Sequence, residues 1–219
     1  MLDKILKSYL RLPKNIHKLF FLEFSLSLIH VAFILILNIY LRKKGFSDPE
    51  IASLNSLRFI SALVFALPLG IFIRGKKLKP FFISSAIMVP LTSILIIQSI
   101  HFDVNSLIKF SFLLWGIGIM LMRVCSLPFI IRNTNSNNST EALSLIAATW
   151  SLSTIVSGLI ISGTSWMNNI FFVNVNYLDE QKVLLLITFL GLGGIYFALK
   201  IDERKPFYTE KFNFLDIHK

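Results

Sequence analysis

Residues 81–100 read FFISSAIMVPLTSILIIQSI, a run without one charged side chain. A hydrocarbon core about 30 Å thick is crossed by roughly 20 apolar residues in a helix that rises about 1.5 Å per residue. A water-soluble helix keeps a charged face opposite its apolar stripe, and no face of 81–100 is charged. Five further stretches share this character, at 19–41, 51–73, 107–131, 142–164 and 183–199. Short polar joints separate them. The fold class that follows is all-α: a polytopic membrane protein with six transmembrane helices.

Composition agrees. Apolar residues make up 54% of the 219 positions and charged residues only 16%, against about 25% charged in an ordinary soluble domain. The mean hydropathy is +0.69. A net charge of +10 would suggest nucleic-acid binding in a soluble protein; in this class it records topology, so no nucleic-acid partner is expected. If the N-terminus is cytoplasmic, 15 of the 22 Lys and Arg residues lie in inner segments, including Lys4, Lys7, Arg74, Lys76, Lys77, Lys79 and Lys200. The outer segments hold five, namely Arg42, Lys43, Lys44, Lys109 and Lys182. Both termini are therefore expected in the cytoplasm. The expected organisation is a basic cytoplasmic segment over 1–18, a helical bundle over 19–199 and a cytoplasmic tail over 200–219. The one cysteine, Cys125, lies inside the fourth span, which leaves no disulfide and no cysteine metal site. The first apolar stretch is far longer than the roughly 7–15 residues of a cleaved signal core. Richness in Ile, Lys, Asn and Phe suggests an AT-rich genome and hence a bacterial cytoplasmic (cell inner) membrane.

The joints carry local signals. Ser47 and Glu50 have capping-box spacing at the start of the second span, with Gly45 ahead of them to turn the chain. Pro80 opens the third span, where a missing N–H costs nothing. Pro68, Pro90 and Pro128 fall inside spans, as membrane helices allow when neighbours satisfy the freed carbonyls. The joint 165–182 holds Trp166, Phe171, Phe172 and Tyr177, aromatics suited to lipid headgroups. Thr154, Gly158 and Ser162 form a small-residue ridge in the fifth span, and Gly191 and Gly194 a second in the sixth; both are expected to admit a close helix neighbour.

Three patterns carry a resemblance. They are Gly45-Phe46-Ser47-Asp48-Pro49-Glu50-Ile51 before the second span, Leu67-Pro68-Leu69-Gly70 with Arg74-Gly75-Lys76-Lys77 after it, and Gly116-Ile117-Gly118 with Pro128 and Arg132 in the fourth. In these the chain resembles the N-terminal half of a major facilitator superfamily transporter. The resemblance implies a six-helix half bundle built as a three-plus-three inverted repeat. It also implies a gating loop formed by Gly70, Arg74, Gly75, Lys76 and Lys77. The family places an aspartate where this chain has Arg74, so the acidic half of that loop's charge pairing is expected to be missing.

Four ionisable side chains fall inside spans: Glu23, His30, Arg58 and Arg123. Each costs several kcal/mol in lipid and needs a reason to be there. Glu23 and His30, seven apart, share one helix face, and Asn38 drifts only modestly from it. Glu23 and Arg123 differ in depth by about 7 Å from helix rise. The resemblance implies that the first and fourth spans line a central cavity. Glu23, His30 and Arg123 are thus the candidate substrate- or proton-binding residues, with Glu23 or His30 exchanging a proton and Arg123 holding an anion or neutralising Glu23. A structural ion pair, or a Glu23 reaching headgroup water, is the competing account. Arg58, about two turns from the outer end, is expected to snorkel, and Trp150 to pack internally.

The expected activity is secondary, ion-coupled transport of a small solute by alternating access, as half of a transporter of this type. Partners are the bilayer, the solute, and a second copy or second six-helix half. The alternatives are an accessory or truncated membrane protein without transport of its own and, less favoured, an intramembrane enzyme. The serines near mid-depth lack the glycine-flanked setting of a membrane protease, and no paired aspartates or histidine-rich cluster is present. No catalytic residue, metal or cofactor is assigned.

Overall fold

A computed structural model describes residues 8–171 and 179–203. It is all-helical, and six helices are long and apolar enough to cross a membrane. They are α1 (Lys14–Lys43), α2 (Asp48–Phe72), α3 (Lys79–His101), α4 (Asn105–Asn133), α5 (Ser139–Phe171) and α6 (Glu180–Lys200). Residues 14–18, expected in the basic cytoplasmic segment, are helical and belong to α1. The helix expected over 142–164 extends at both ends, so Trp166 is helical and not part of a joint. Phe172 and Tyr177 lie outside the described residues, as do 1–7 and 204–219.

Local chemistry sets the ends. Ser47 and Glu50 close the expected capping box, with the Ser47 backbone N–H donating to Glu50 Oε2 at 2.8 Å. Gly45 turns the chain at φ 91°. Pro80 sits in the first turn of α3, and Asp179 caps α6 by accepting from the Lys182 N–H at 3.0 Å. Within α1, residues Phe33–Leu37 form a π turn. That widened turn, of a kind frequent at functional sites, rotates the second half of the helix. Asn38 accordingly leaves the face of Glu23 and His30 and accepts from Asn55 Nδ2 on α2 at 3.1 Å.

Small residues decide which helices meet. In lipid, helices associate by close packing and not by hydrophobic exclusion. Gly116 of α4 lies directly on Ser61 and the Arg58 carbonyl of α2, and Gly118 lies against Val89 and Met88 of α3. Two glycines on opposite faces thus clamp α4 between α2 and α3. The Ser85 hydroxyl adds a 2.7 Å hydrogen bond to the Gly118 carbonyl. Helix α1 is clamped in the same manner: Gly191 and Gly194 of α6 press on Ser25 and Ile29, and Ser153 and Ser157 of α5 donate to the Phe24 and Leu28 carbonyls. The α6 glycines pack as expected. The ridge expected at Thr154, Gly158 and Ser162 does not. It points away from the bundle, and nothing lies within 4 Å of where a Gly158 Cβ would sit. The packing face of α5 is one residue earlier, because Ser153 and Ser157 are the buried pair.

Helices α3 and α6 pack against each other behind α1 and α4, and Phe82 of α3 meets Phe129 of α4 edge to face at 5.2 Å. On the opposite side α1, α2, α4 and α5 stand around an open space. There α2 and α5 are the least covered elements: 17% and 22% of their apolar windows are buried, against 72% for α1.

The first and last described segments meet at one end of the bundle. Lys18 pairs with Asp202, and Asn15 Nδ2 donates to Asn133 Oδ1 at 2.9 Å. The Lys18 ammonium holds the Asp202 carboxyl below the usual aspartate range. The pair is therefore intact at neutral pH and is lost as pH falls through that lowered value. At the other end Lys43 pairs with Glu180 at 2.6 Å.

Candidate functional site

The open space is a cavity of about 750 Å³, within the roughly 300–1,000 Å³ range of small-molecule sites. Its polar wall carries Glu23, Ser27, His30, Arg58, Arg123 and Ser126, and most of the remaining lining is apolar. Glu23 and His30 reach it because positions seven apart share a face of α1 before the π turn. Arg58 reaches it because Gly116 lets α2 lie directly on α4. Arg123 and Ser126, three apart, project from one face of α4.

All three expected residues, Glu23, His30 and Arg123, line this one cavity. The detail differs from expectation. Glu23 and Arg123 make no ion pair. The Glu23 carboxylate instead accepts from the Ser126 hydroxyl, which is also 3.0 Å from the Met122 carbonyl. Arg58 does not snorkel: it is 7% exposed and faces the cavity. Snorkelling assumes lipid on every side of a helix, and here the inner face of α2 is covered by α4. Trp150 is also a lining residue, 39% exposed, and not internal packing. Asn38 is not in the lining.

Aromatic rings organise the polar wall. The His30 ring centre lies 5.2 Å from Trp115 and 5.2 Å from Trp150. The Arg58 guanidinium carbon stands 5.1 Å from the Trp115 ring centre, and that of Arg123 stands 5.3 Å from Trp150. The order of contacts is Arg58, Trp115, His30, Trp150, Arg123, with Trp115 buried behind the lining. Cation–π contact stabilises a guanidinium by about 0.5–2 kcal/mol and leaves its N–H edge free. A sequence signal for this arrangement existed in the tryptophans at 115 and 150, but their spacing from the arginines is tertiary.

The loop expected to gate lies at the end of the bundle where Lys18 meets Asp202. Gly70 precedes it: that residue is within α2, and nothing lies within 4 Å of where its Cβ would sit. Gly75 makes the turn at φ 69°. The Lys76 carbonyl accepts from Arg132 Nη1 at 2.8 Å, while the Lys76 ammonium stands 3.1 Å over the Phe72 ring centre. Arg74 and Lys77 are exposed. The acid expected to be missing is supplied from elsewhere. Glu203, just past α6, accepts from the Leu78 and Lys79 backbone N–H groups and lies 3.9 Å from Arg132 Nη1. A carboxylate at these two amides satisfies orphan donors at the start of α3 and complements its dipole. Glu203→Gln is expected to cost about 1 kcal/mol, the value of a lost N-terminal cap. Thermal unfolding in detergent reads the loss, and faster amide exchange at Leu78 and Lys79 locates it. Unchanged exchange at both amides removes Glu203 from this role.

Among the described residues no group of three or more His, Cys, Asp or Glu side chains could hold a metal ion. Cys125 is buried, so no accessible thiol nucleophile comes from it. The polar wall suits binding and proton exchange: a carboxyl group and an imidazole beside two cations, in a space open on one side. In comparison with known proteins, no family model matches the chain, and no curated protein is significantly similar to it.

Proposed function

We propose that the chain is a secondary transport unit that moves a small solute across a membrane by alternating access, coupled to protons through Glu23. The observation that carries this reading is the convergence of Glu23, His30, Arg58 and Arg123 on one open cavity. Placing four ionisable groups in lipid-spanning helices is costly, and such groups mark solute or proton pathways. Serving as the wall of a site for an exchangeable solute gives all four a reason at once.

The helix pairing supports a transporter half resembling the major facilitator superfamily. The strongest pairings are α3 with α4, α2 with α4, α1 with α5, α1 with α6 and α3 with α6. Exchanging helices one, two and three for four, five and six leaves this set unchanged, the relation an inverted three-plus-three repeat would produce. The uncovered faces of α2 and α5, flanking the cavity mouth, suit closure by a second six-helix unit or a second copy. With both termini in the cytoplasm, the Arg132–Glu203 cluster faces inward.

Glu23 takes the proton in this reading. The Ser126 hydroxyl donates to its ionised form, and protonation frees that contact. The purified chain in liposomes, loaded with a pH dye and given a panel of small acids, sugars and amines, tests it. Solute-driven proton movement is expected, and Glu23→Gln is expected to abolish it while solute exchange persists. Proton coupling that survives in Glu23→Gln overturns the assignment. A chain that cross-links to no partner and moves no solute overturns the transporter reading and favours an accessory role.

A further inference from the structure

We infer that the cavity binds an organic anion, with the anionic headgroup set between the Arg58 and Arg123 guanidiniums beside His30 and an apolar, flat body lying over Trp150. The inference deepens the transporter reading and rests on it for what happens to the solute after binding. Binding itself is argued from the wall.

Hydrogen-bond accounting comes first. Arg58 Nε, His30 Nδ1 and Trp115 Nε1 are buried without a partner among the described residues. More than about 90% of buried polar groups in folded proteins are satisfied, and the orphans of Arg58 and His30 lie on side chains that line the cavity, where a ligand is the available partner. Arginine and the indole N–H can only donate. The partner must therefore accept, which a carboxylate, phosphate or sulfonate does and an ammonium does not. Arg58 and His30 are lining residues, 7% and 8% exposed, with the orphan atoms themselves covered. Trp115, fully buried, stands behind them against the His30 ring and the Arg58 guanidinium.

Charge accounting agrees. The lining holds two guanidiniums and a single carboxylate. That carboxylate is engaged by Ser126 and pairs with neither arginine. The wall carries one net positive charge with Glu23 ionised and two with Glu23 protonated. Arg58 is buried without a carboxylate partner, which is costly, and an anionic ligand offsets that cost. Geometry sharpens the class. Each arginine has one face on a tryptophan, which leaves the in-plane fork for the two-oxygen contact that carboxylates and phosphates make. Much of the remaining lining is apolar, including Leu26, Ile34, Phe59 and Met120, and Trp150 adds a half-exposed ring. A bare inorganic ion leaves that surface unfilled.

The tryptophans give a readout independent of transport. The chain has three, and Trp166 is exposed outside the cavity, so a Trp166→Phe background reports Trp115 and Trp150 alone. In that background, the purified full chain is titrated with 4-nitrobenzoate, 4-nitrobenzamide and 4-nitrobenzylammonium, which quench indole fluorescence. Saturable quenching by the carboxylate is expected about tenfold or more tighter than by the amide, from charge-assisted bonding. None is expected from the ammonium. Arg58→Met and Arg123→Gln are each expected to weaken carboxylate binding by about tenfold or more, with Arg58→Lys giving no recovery. Thermal melts confirm that each variant is folded. Equal affinity for acid and amide, preference for the ammonium, or quenching indifferent to both arginines overturns the inference. Displacement by inorganic phosphate as effective as by benzoate overturns its organic part. Carboxylate binding without transport leaves the inference standing and removes the transporter reading; proton-coupled uptake of amines alone does the reverse.

Discussion

Gly116→Val is expected to abolish the folded bundle. A Cβ at this position would occupy the space of the Ser61 hydroxyl and the Arg58 carbonyl, and a backbone atom does not rotate aside. Overpacking a tight core costs about 1–3 kcal/mol when side chains can yield; here α2 must move off α4, so the upper end is a minimum. That displacement also carries Arg58 out of the cavity wall. Detergent-solubilised protein should elute as aggregate, and what remains folded should melt far below wild type. Ser61→Gly in the same chain is expected to restore part of the loss, since it removes one of the two obstructions. Gly158→Ala is the internal control. Nothing lies near its Cβ, and alanine favours helix over glycine by about 1 kcal/mol, so stability should hold or rise. A Gly116→Val chain as stable as wild type would mean that α2 and α4 do not meet as described.

Arg58→Met is expected to raise stability and destroy function together. Arg58 is a buried cation without a carboxylate partner, held by ring contacts to Trp115 and Phe59. Replacing buried charges by apolar groups of similar size is commonly neutral or stabilising by about 1–4 kcal/mol. Methionine fits the unbranched space and removes that desolvation cost. Solute binding and uptake, by contrast, should fall by about tenfold or more, the consequence of losing a charge-assisted contact. A melting temperature that rises while uptake vanishes identifies a residue kept for its task and not for the fold. A variant that melts earlier and still transports reverses that conclusion, making Arg58 structural.

The sequence alone carried the helices and their ends. The uncharged run 81–100, the capping box at Ser47 and Glu50, and the turn at Gly45 are local features, and short-range chemistry is enough to specify them. It also carried the candidates Glu23, His30 and Arg123, because an ionisable group in an apolar helix is visible without a fold.

What it did not carry is which face of each helix is covered. Arg58 reads as snorkelling until Gly116 places α4 against it. The α5 ridge reads as Thr154, Gly158 and Ser162 until the Ser153 and Ser157 hydroxyls are found on the α1 carbonyls. Asn38 reads as part of the polar stripe until the π turn at Phe33–Leu37 rotates it onto Asn55. The missing acid of the loop is found in Glu203, more than a hundred residues along the chain from Leu78. The physical reason is common to all four. Hydropathy and propensity act along the chain and fix that a helix forms, whereas its rotation and neighbours depend on atom-to-atom fit between segments far apart in sequence. The ring-and-guanidinium wall from Arg58 to Arg123 exists only once that fit is made.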